Sequence, residues 1–167
     1  YLSTLGKKAL VHSMAEVIRF NEENRRQVMP YFGQQHMEKA QEKGPLTEKA
    51  YLEALAKNHR LSRSEGLDVP LKKHRLDAIV CLTGGPAWTI DLVNGDAINW
   101  EMESTSPPAV AGYPHITVPA GYVFGLPAGL SFIAGAWQEP TLLRLAYAFE
   151  GATRVRKPPR FAAHAAL

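Results

Sequence analysis

The sequence predicts an α/β fold, with apolar stripes at helical spacing before residue 67 and again after residue 138. Between them stand a short β-branched run, LDAIVCL at 76–82, and the stretch PHITVPAGYVFGLPAGLSFIAGAW at 114–137, which reads as two strands punctuated by Pro and Gly. Helices, strand, excursion, two strands, helix is the order of an α/β protein. Three strands make a thin sheet with open edges, so the sheet reads as part of a larger one whose free edges invite self-association into a homo-oligomer.

In chain order, Ser13 and Glu16 have the spacing of a capping box, and Met14, Val17, Ile18 and Asn21 then share one face of a helix predicted over about Met14–Asn24. Asn21 stands where that face should be apolar; it either caps the helix end or bonds to a neighbouring loop, and the end-cap is the preferred reading. PYFGQQHMEKAQEKG predicts a turn at Pro30–Gly33 and a short helix ended by Gly44. Thr47 is placed to cap a longer helix with Tyr51, Leu52, Leu55, Ala56 and His59 on one face and Gly66 as its terminator. Residues 76–82, nearly continuously apolar, predict a strand covered on both faces, with Cys81 buried in it. A long irregular connection holding Trp88 and Trp100 follows, then the strand pair, where Gly129 lets another group approach closely. The last helix, about Glu139–Thr153, carries Leu142, Leu145, Ala146 and Phe149 as its stripe, with Pro140 in its first turn.

Composition narrows the function classes. The chain has 167 residues, 46% hydrophobic and 21% charged, which suits a single globular domain and excludes disordered and collagen-like classes. No apolar run approaches the ~20 residues of a membrane helix. The net charge of +3 concentrates only at Arg154, Arg156, Lys157 and Arg160, without interleaved Tyr or Trp, which reads as a solvated tail rather than a nucleic-acid groove. A lone cysteine marks no oxidising compartment, and the balance leans to the cytoplasm. The start at Tyr1, with no signal-peptide pattern, suggests a fragment or a processed product.

Motifs for chemistry are sparse. There is no G-x-S-x-G elbow, TGGP at 83–86 lacks the Lys-Ser/Thr of a phosphate loop, and the six histidines have no metal-ligand spacing, so neither a metal nor a cofactor is expected. Only His115, at a strand start, is placed to point into a site. Asp91, Asn94 and Asp96 lie near Trp88 in a loop that leaves a strand end, where α/β proteins place ligand groups. Asn94 and Gly95 read first as a turn, whereas Trp88 and Asp91 are the candidate pocket residues.

Several segments together resemble the amidase signature family: TLGKKALVHSMAEVIRFN, YFGQQ, GLDVPLKKHRLDAIVCLTGGPAW, PAVAGYPHITVPAG and GLPAGLSFIAGAWQEPTLLRLAYAFE. Their order is similar to the carboxyl-terminal part of those enzymes, and TGGPAW with the NGD loop resembles the peptide-amidase-like subgroup. The resemblance implies that residues 1–167 are the carboxyl-terminal segment of one amidase domain, mainly helical over 1–75 and carrying strands, loop and final helix over 76–167. It implies a partial mixed β-sheet flanked by helices. Trp88, Asp91, Gln34 and Gln35 would face a substrate cleft, although for Gln34 and Gln35 a helix start is the slightly favoured reading. It further implies hydrolysis of carboxamide C–N bonds, on a small-molecule or peptide amide, by a serine nucleophile, a second serine in a cis peptide and a lysine base. No Gly/Ser segment or lysine motif of that kind occurs here, so no catalytic residue is assigned and the isolated chain is expected to be inactive. The alternatives are a non-catalytic binding or assembly subunit, or one of amidotransferase type that works with tRNA.

Overall fold

The computed structural model describes residues 1–97, 103–159 and 161. The chain divides into two compact units, Tyr1–Leu52 and Glu53–Leu167.

In the first unit, helix α1 (Met14–Glu23) starts as its capping residues dictate. Ser13 Oγ accepts from Glu16 N at 3.2 Å, and the Glu16 carboxylate accepts in return from the backbone N–H of His12 at 2.6 Å, one residue earlier than a capping box requires. A short α2 (Arg25–Val28) and α3 (Gln35–Gln41) follow, α3 ending three residues before Gly44. Asn21 does not cap α1; Asn24 does, and Asn21 Nδ2 instead donates to Gln34 Oε1 at 3.1 Å. A mid-helix amide whose backbone bonds are already made is free to tie its helix to the loop before the next one.

In the second unit, α4 (Lys49–Ser62, whose first residues belong to the first unit) begins two residues after Thr47, which is therefore not at the cap position. Its Tyr51 and Leu52 lie exposed, so the predicted apolar face is not a buried one. Gly66 does not terminate the helix. The chain widens into a π-helical turn, Arg63–Leu67, with Gly66 at φ −114°, ψ −108°, and continues as α5 (Asp68–Lys73). A Cβ at Gly66 would stand 2.6 Å from the Leu61 carbonyl oxygen, so the glycine permits a kink rather than a stop.

Strands β1 (Ile79–Leu82), β2 (His115–Val123) and β3 (Leu126–Ile133) form an antiparallel sheet in the order β1-β3-β2. The β2–β3 turn has both central residues left-handed, Phe124 at φ 49° and Gly125 at φ 80°, the two-residue geometry that matches strand twist. The ladder slips once, between Pro119 and Gly121, where proline cannot donate. Helix α7 (Glu139–Thr153) lies on one sheet face, and Val118, Phe132, Ala134, Leu142 and Ala146 form the core with Leu145 and Phe149 at its margin. Phe132 and Phe149 meet edge to face at 6.1 Å. Because α7 covers β2 and β3, edge strand β1 is covered on one face only: Val80 is 53% exposed and Cys81 half-buried, where the apolar run predicted cover on both sides.

The π turn is fastened to α6 (Ser106–Ala111) and the residues after it. Arg63 Nε donates to the Ala111 carbonyl at 2.6 Å, and the Tyr113 hydroxyl donates to Asp68 Oδ1 at 2.8 Å. The Lys72 ammonium and then the Tyr113 hydroxyl hold the Asp68 carboxyl below its ordinary value of 3.8, while burial and then Asp68 push the Tyr113 phenol up.

A depressed carboxyl contributes stability that is present above its unfolded-state value and lost as pH falls through the lower folded one. Asp68→Asn is therefore expected to lower the unfolding midpoint near neutrality, with a deficit that shrinks as pH falls from about 6 to about 3. A deficit constant across that range, by chemical denaturation, would remove Asp68 from this role. The exposed apolar residues on the two opposite edges of the sheet, Val80 and Leu82 of β1 and Val123 at the end of β2 with Phe124 after it, are expected to give concentration-dependent association in sedimentation velocity, which a dilution-resistant monomer would contradict.

Candidate functional site

On the sheet face opposite α7, alternate residues of three strands bring together a polar cluster. Thr83, just past β1, continues the ladder by donating its N–H to the Gly129 carbonyl at 2.9 Å. Its hydroxyl lies 2.5 Å from that of Thr117 and accepts from Ser131 Oγ at 2.9 Å, and His115 Nε2 lies 2.6 Å from Ser131 Oγ. Gly129 makes this possible, since a Cβ there would fall 2.6 Å from Thr83 Oγ1 and 2.8 Å from Thr117 Oγ1.

A serine beside an imidazole is the first half of a nucleophile–base pair. Here the proton runs the wrong way. The Ser131 hydroxyl is spent on Thr83, so His115 Nε2 must donate to Ser131 rather than take its proton, and Ser131 is 0% exposed. The cluster therefore positions rather than attacks: it clamps Thr83, whose carbonyl also accepts from Ser104 Oγ at 3.3 Å, at the root of the 83–97 loop.

Within that loop, Asp91 is committed to its own turn. Oδ1 accepts from the N–H groups of Val93 and Asn94, and Oδ2 from Asn94 Nδ2, each at 2.9 Å. These bonds, the Asn94 backbone bond foremost, hold its carboxyl below the usual carboxylate range. Gly95 takes φ 86°, as an Asn-Gly turn requires. Trp88 is 44% exposed, leaving an indole surface at the side of the loop. Trp100 lies outside the described residues.

Gln34 and Gln35 belong to the first unit. Gln34 is 8% exposed and holds α1: its Nε2 donates to the Ile18 carbonyl at 3.0 Å while Oε1 receives Asn21. Gln35 is exposed as the first residue of α3. The structure thus groups Trp88 with Asp91 in one loop and gives Gln34 a helix-tying bond set. The Thr83–Thr117–Ser131 cluster escaped the sequence reading, which singled out His115 alone. Its signal was the alternate polar residues His115 and Thr117 on one strand and Ser131, two residues after the space-giving Gly129, on the next, legible only once the hairpin register is known. Among the described residues, no three His, Cys, Asp or Glu side chains are grouped to hold a metal, and no helix is long and apolar enough to cross a membrane.

No family model matches the chain. A probable amidase of Arabidopsis thaliana is 38% identical over 98% of this chain and 28% of its own length. The native peptide amidase of Stenotrophomonas maltophilia superposes with a TM-score of 0.81 and 41% identity, covering 93% of this chain and 31% of that enzyme. One of the subunits of the glutamyl-tRNA(Gln) amidotransferase of Clostridium acetobutylicum is 40% identical over 47% of the chain and 17% of its own length. The chain spans less than a third of the length of these relatives.

The cluster generates a stability test. Gly129→Ala forces a methyl against two hydroxyls of β-branched side chains locked in bonds, and is expected to cost about 1–3 kcal/mol. Ser131→Ala, which strips His115 and Thr83 of their shared partner, is expected to cost about 1–3 kcal/mol as well. Denaturant midpoints unchanged in both variants would dissolve the cluster as a clamp.

Proposed function

From the premise that the chain belongs to the amidase signature family, of which it forms a carboxyl-terminal part, we propose that it serves in hydrolysis of a carboxamide C–N bond and that the bond-breaking groups lie outside it. The observation that carries this reading is the match along nearly all of the chain to amidases, at 41% identity in the peptide amidase of Stenotrophomonas maltophilia. The matching enzymes are amidases; this chain covers under a third of them, and its only serine bonded to an imidazole among the described residues is sealed and oriented as a donor.

In such a reaction a nucleophile adds to the carbonyl carbon, the tetrahedral oxyanion needs preorganised donors, the C–N bond breaks as the amine takes a proton, and water releases the acid. A serine nucleophile, a cis-peptide serine relay and a lysine base are what the family resemblance implies for those steps. The residues present here act on binding. His115, Ser131, Thr83 and Thr117 hold the root of the 83–97 loop, Asp91 holds its turn, and the Trp88 indole offers an apolar face to the acyl or side-chain part of an amide. Gln34 contributes by keeping α1 and the start of α3 together rather than by touching substrate.

A second reading draws on the likeness to the glutamyl-tRNA(Gln) amidotransferase and on the basic residues Arg154, Arg156 and Lys157, in which this chain would act beside a charged tRNA. Phosphate contacts would make such binding fall steeply with salt.

A chimera in which this chain replaces the matched segment of the Stenotrophomonas peptide amidase tests the proposal. The chimera is expected to hydrolyse peptide carboxamides while the isolated chain does not, because loss of nucleophile and base together removes the machinery as a unit. Hydrolysis by the purified isolated chain, or a folded chimera without activity, would overturn it. Within the chimera, Trp88→Ala is expected to raise KM at little cost in kcat; Asp91→Ala should do the same if the turn is what presents the indole. Salt-sensitive tRNA binding by the isolated chain would move the assignment to the second reading.

A further inference from the structure

A cleft of about 150 Å³ in the second unit is lined by Arg63, Gly112, Tyr113, Ala136, Trp137 and Glu139. None of these residues takes part in the Thr83 cluster or the Trp88 loop, and three irregular pieces of backbone converge on the cleft. Arg63 opens the π-helical turn, Gly112 ends α6 at φ 65°, and Trp137 sits at φ 63°. A left-handed tryptophan is an outlier that a bulky side chain adopts only where its surroundings impose it, and such positions concentrate at ligand sites. Here it holds the indole 86% exposed at the wall of the cleft.

The charges are paired in an unusual way. Arg63 spends Nε on the Ala111 carbonyl and Nη2 on His59 Nε2, which must accept because a guanidinium only donates; Nη1 has no partner among the described residues. Its plane is steadied by the Tyr113 ring, 5.7 Å away. Glu139, the first residue of α7, likewise has no partner among the described residues. An anion alone would meet Glu139, and a cation alone would meet Arg63. A ligand carrying both charges at short separation satisfies both walls, and the exposed indole adds an apolar face beside them.

We propose that this cleft binds a free α-amino acid with an aromatic or bulky apolar side chain, its carboxylate on Arg63 Nη1, its ammonium on Glu139 and its side chain against Trp137. The inference does not depend on the amidase reading, and none of its probes is an amide.

The test uses the full chain and three probes: L-phenylalanine, 3-phenylpropanoate, which lacks the ammonium, and 2-phenylethylamine, which lacks the carboxylate. Binding is read by calorimetry and by the indole N–H resonance of Trp137, identified by its loss in Trp137→Phe. L-Phenylalanine is expected to shift that resonance saturably, with each single-charge probe about tenfold weaker or worse, as loss of one charge-assisted bond dictates. Glu139→Gln, an exposed change that leaves the α7 backbone intact, is expected to weaken L-phenylalanine about tenfold and to leave 3-phenylpropanoate unweakened. Arg63→Lys should do the reverse, sparing 2-phenylethylamine, with far-UV circular dichroism checking the fold. Equal binding of all three probes, which means stacking alone, would overturn the proposal. So would an unmoved Trp137 resonance at millimolar L-phenylalanine, or a Glu139→Gln affinity equal to the unsubstituted chain's.

Discussion

Strand β3 is hydrogen-bonded on both sides, antiparallel to β1 and to β2, and the second unit is arranged around that fact. Successive side chains of a strand point to opposite faces, so one central strand supplies two layers at once. Leu130 and Phe132 enter the apolar layer beneath α7, where fully burying each large apolar side chain is worth roughly 1.5–3 kcal/mol. Gly129 and Ser131 face the other way and build the polar layer. A register slip of one residue would exchange the two, setting hydroxyls against α7 and phenylalanine against threonine. The apolar core therefore fixes the register, and the register places the polar cluster.

That dependence explains why a Ser–His contact here is architectural. A buried hydroxyl is tolerable only when it finds a partner, and Ser131, the buried member of the chain His115–Ser131–Thr83–Thr117, has two. Among the described residues no buried side-chain polar atom is left unpaired. A nucleophile needs the opposite arrangement, with an uncommitted proton facing its base and an open approach for the carbonyl carbon. The cluster spends its hydrogen bonds on holding Thr83, from which the 83–97 loop departs, and the loop spends Asp91 on its own turn. What remains available to a ligand is the indole of Trp88. On the proposed reading, that is what a binding segment offers to an amidase whose chemistry is carried elsewhere.

The second unit has another fixed point at Arg63. The π turn there adds a residue to the helical path, which rotates the guanidinium toward α6, where Nε meets the Ala111 carbonyl. Asp68, one residue past the π turn, takes the Tyr113 hydroxyl. The first unit is held differently. Its buried residue is an amide, Gln34, so hydrogen bonds to Asn21 and Ile18 do there what apolar packing does beneath α7. Units held that way depend on geometry more than on buried area, and a single amide then matters disproportionately.

The sequence alone determined whatever a few neighbouring residues decide. The start of α1 at Ser13, the span and stripe of α7, the Asn94–Gly95 turn and the small residue needed at 129 all follow from caps, periodicity and φ preferences acting within a turn or two. The order of its motifs along the chain also sufficed to show the family likeness. Tertiary structure decided the rest. Asn21 chose the Gln34 loop over the helix end, Gly66 became a π kink instead of a stop, and β1 became a half-covered edge because α7 reaches only two of the three strands. Ser131 met Thr83, 48 residues away, only through the register of β3. Local signals decay within about one helical turn or one strand pair, whereas these partners are chosen by which faces pack together, and no residue carries that information by itself.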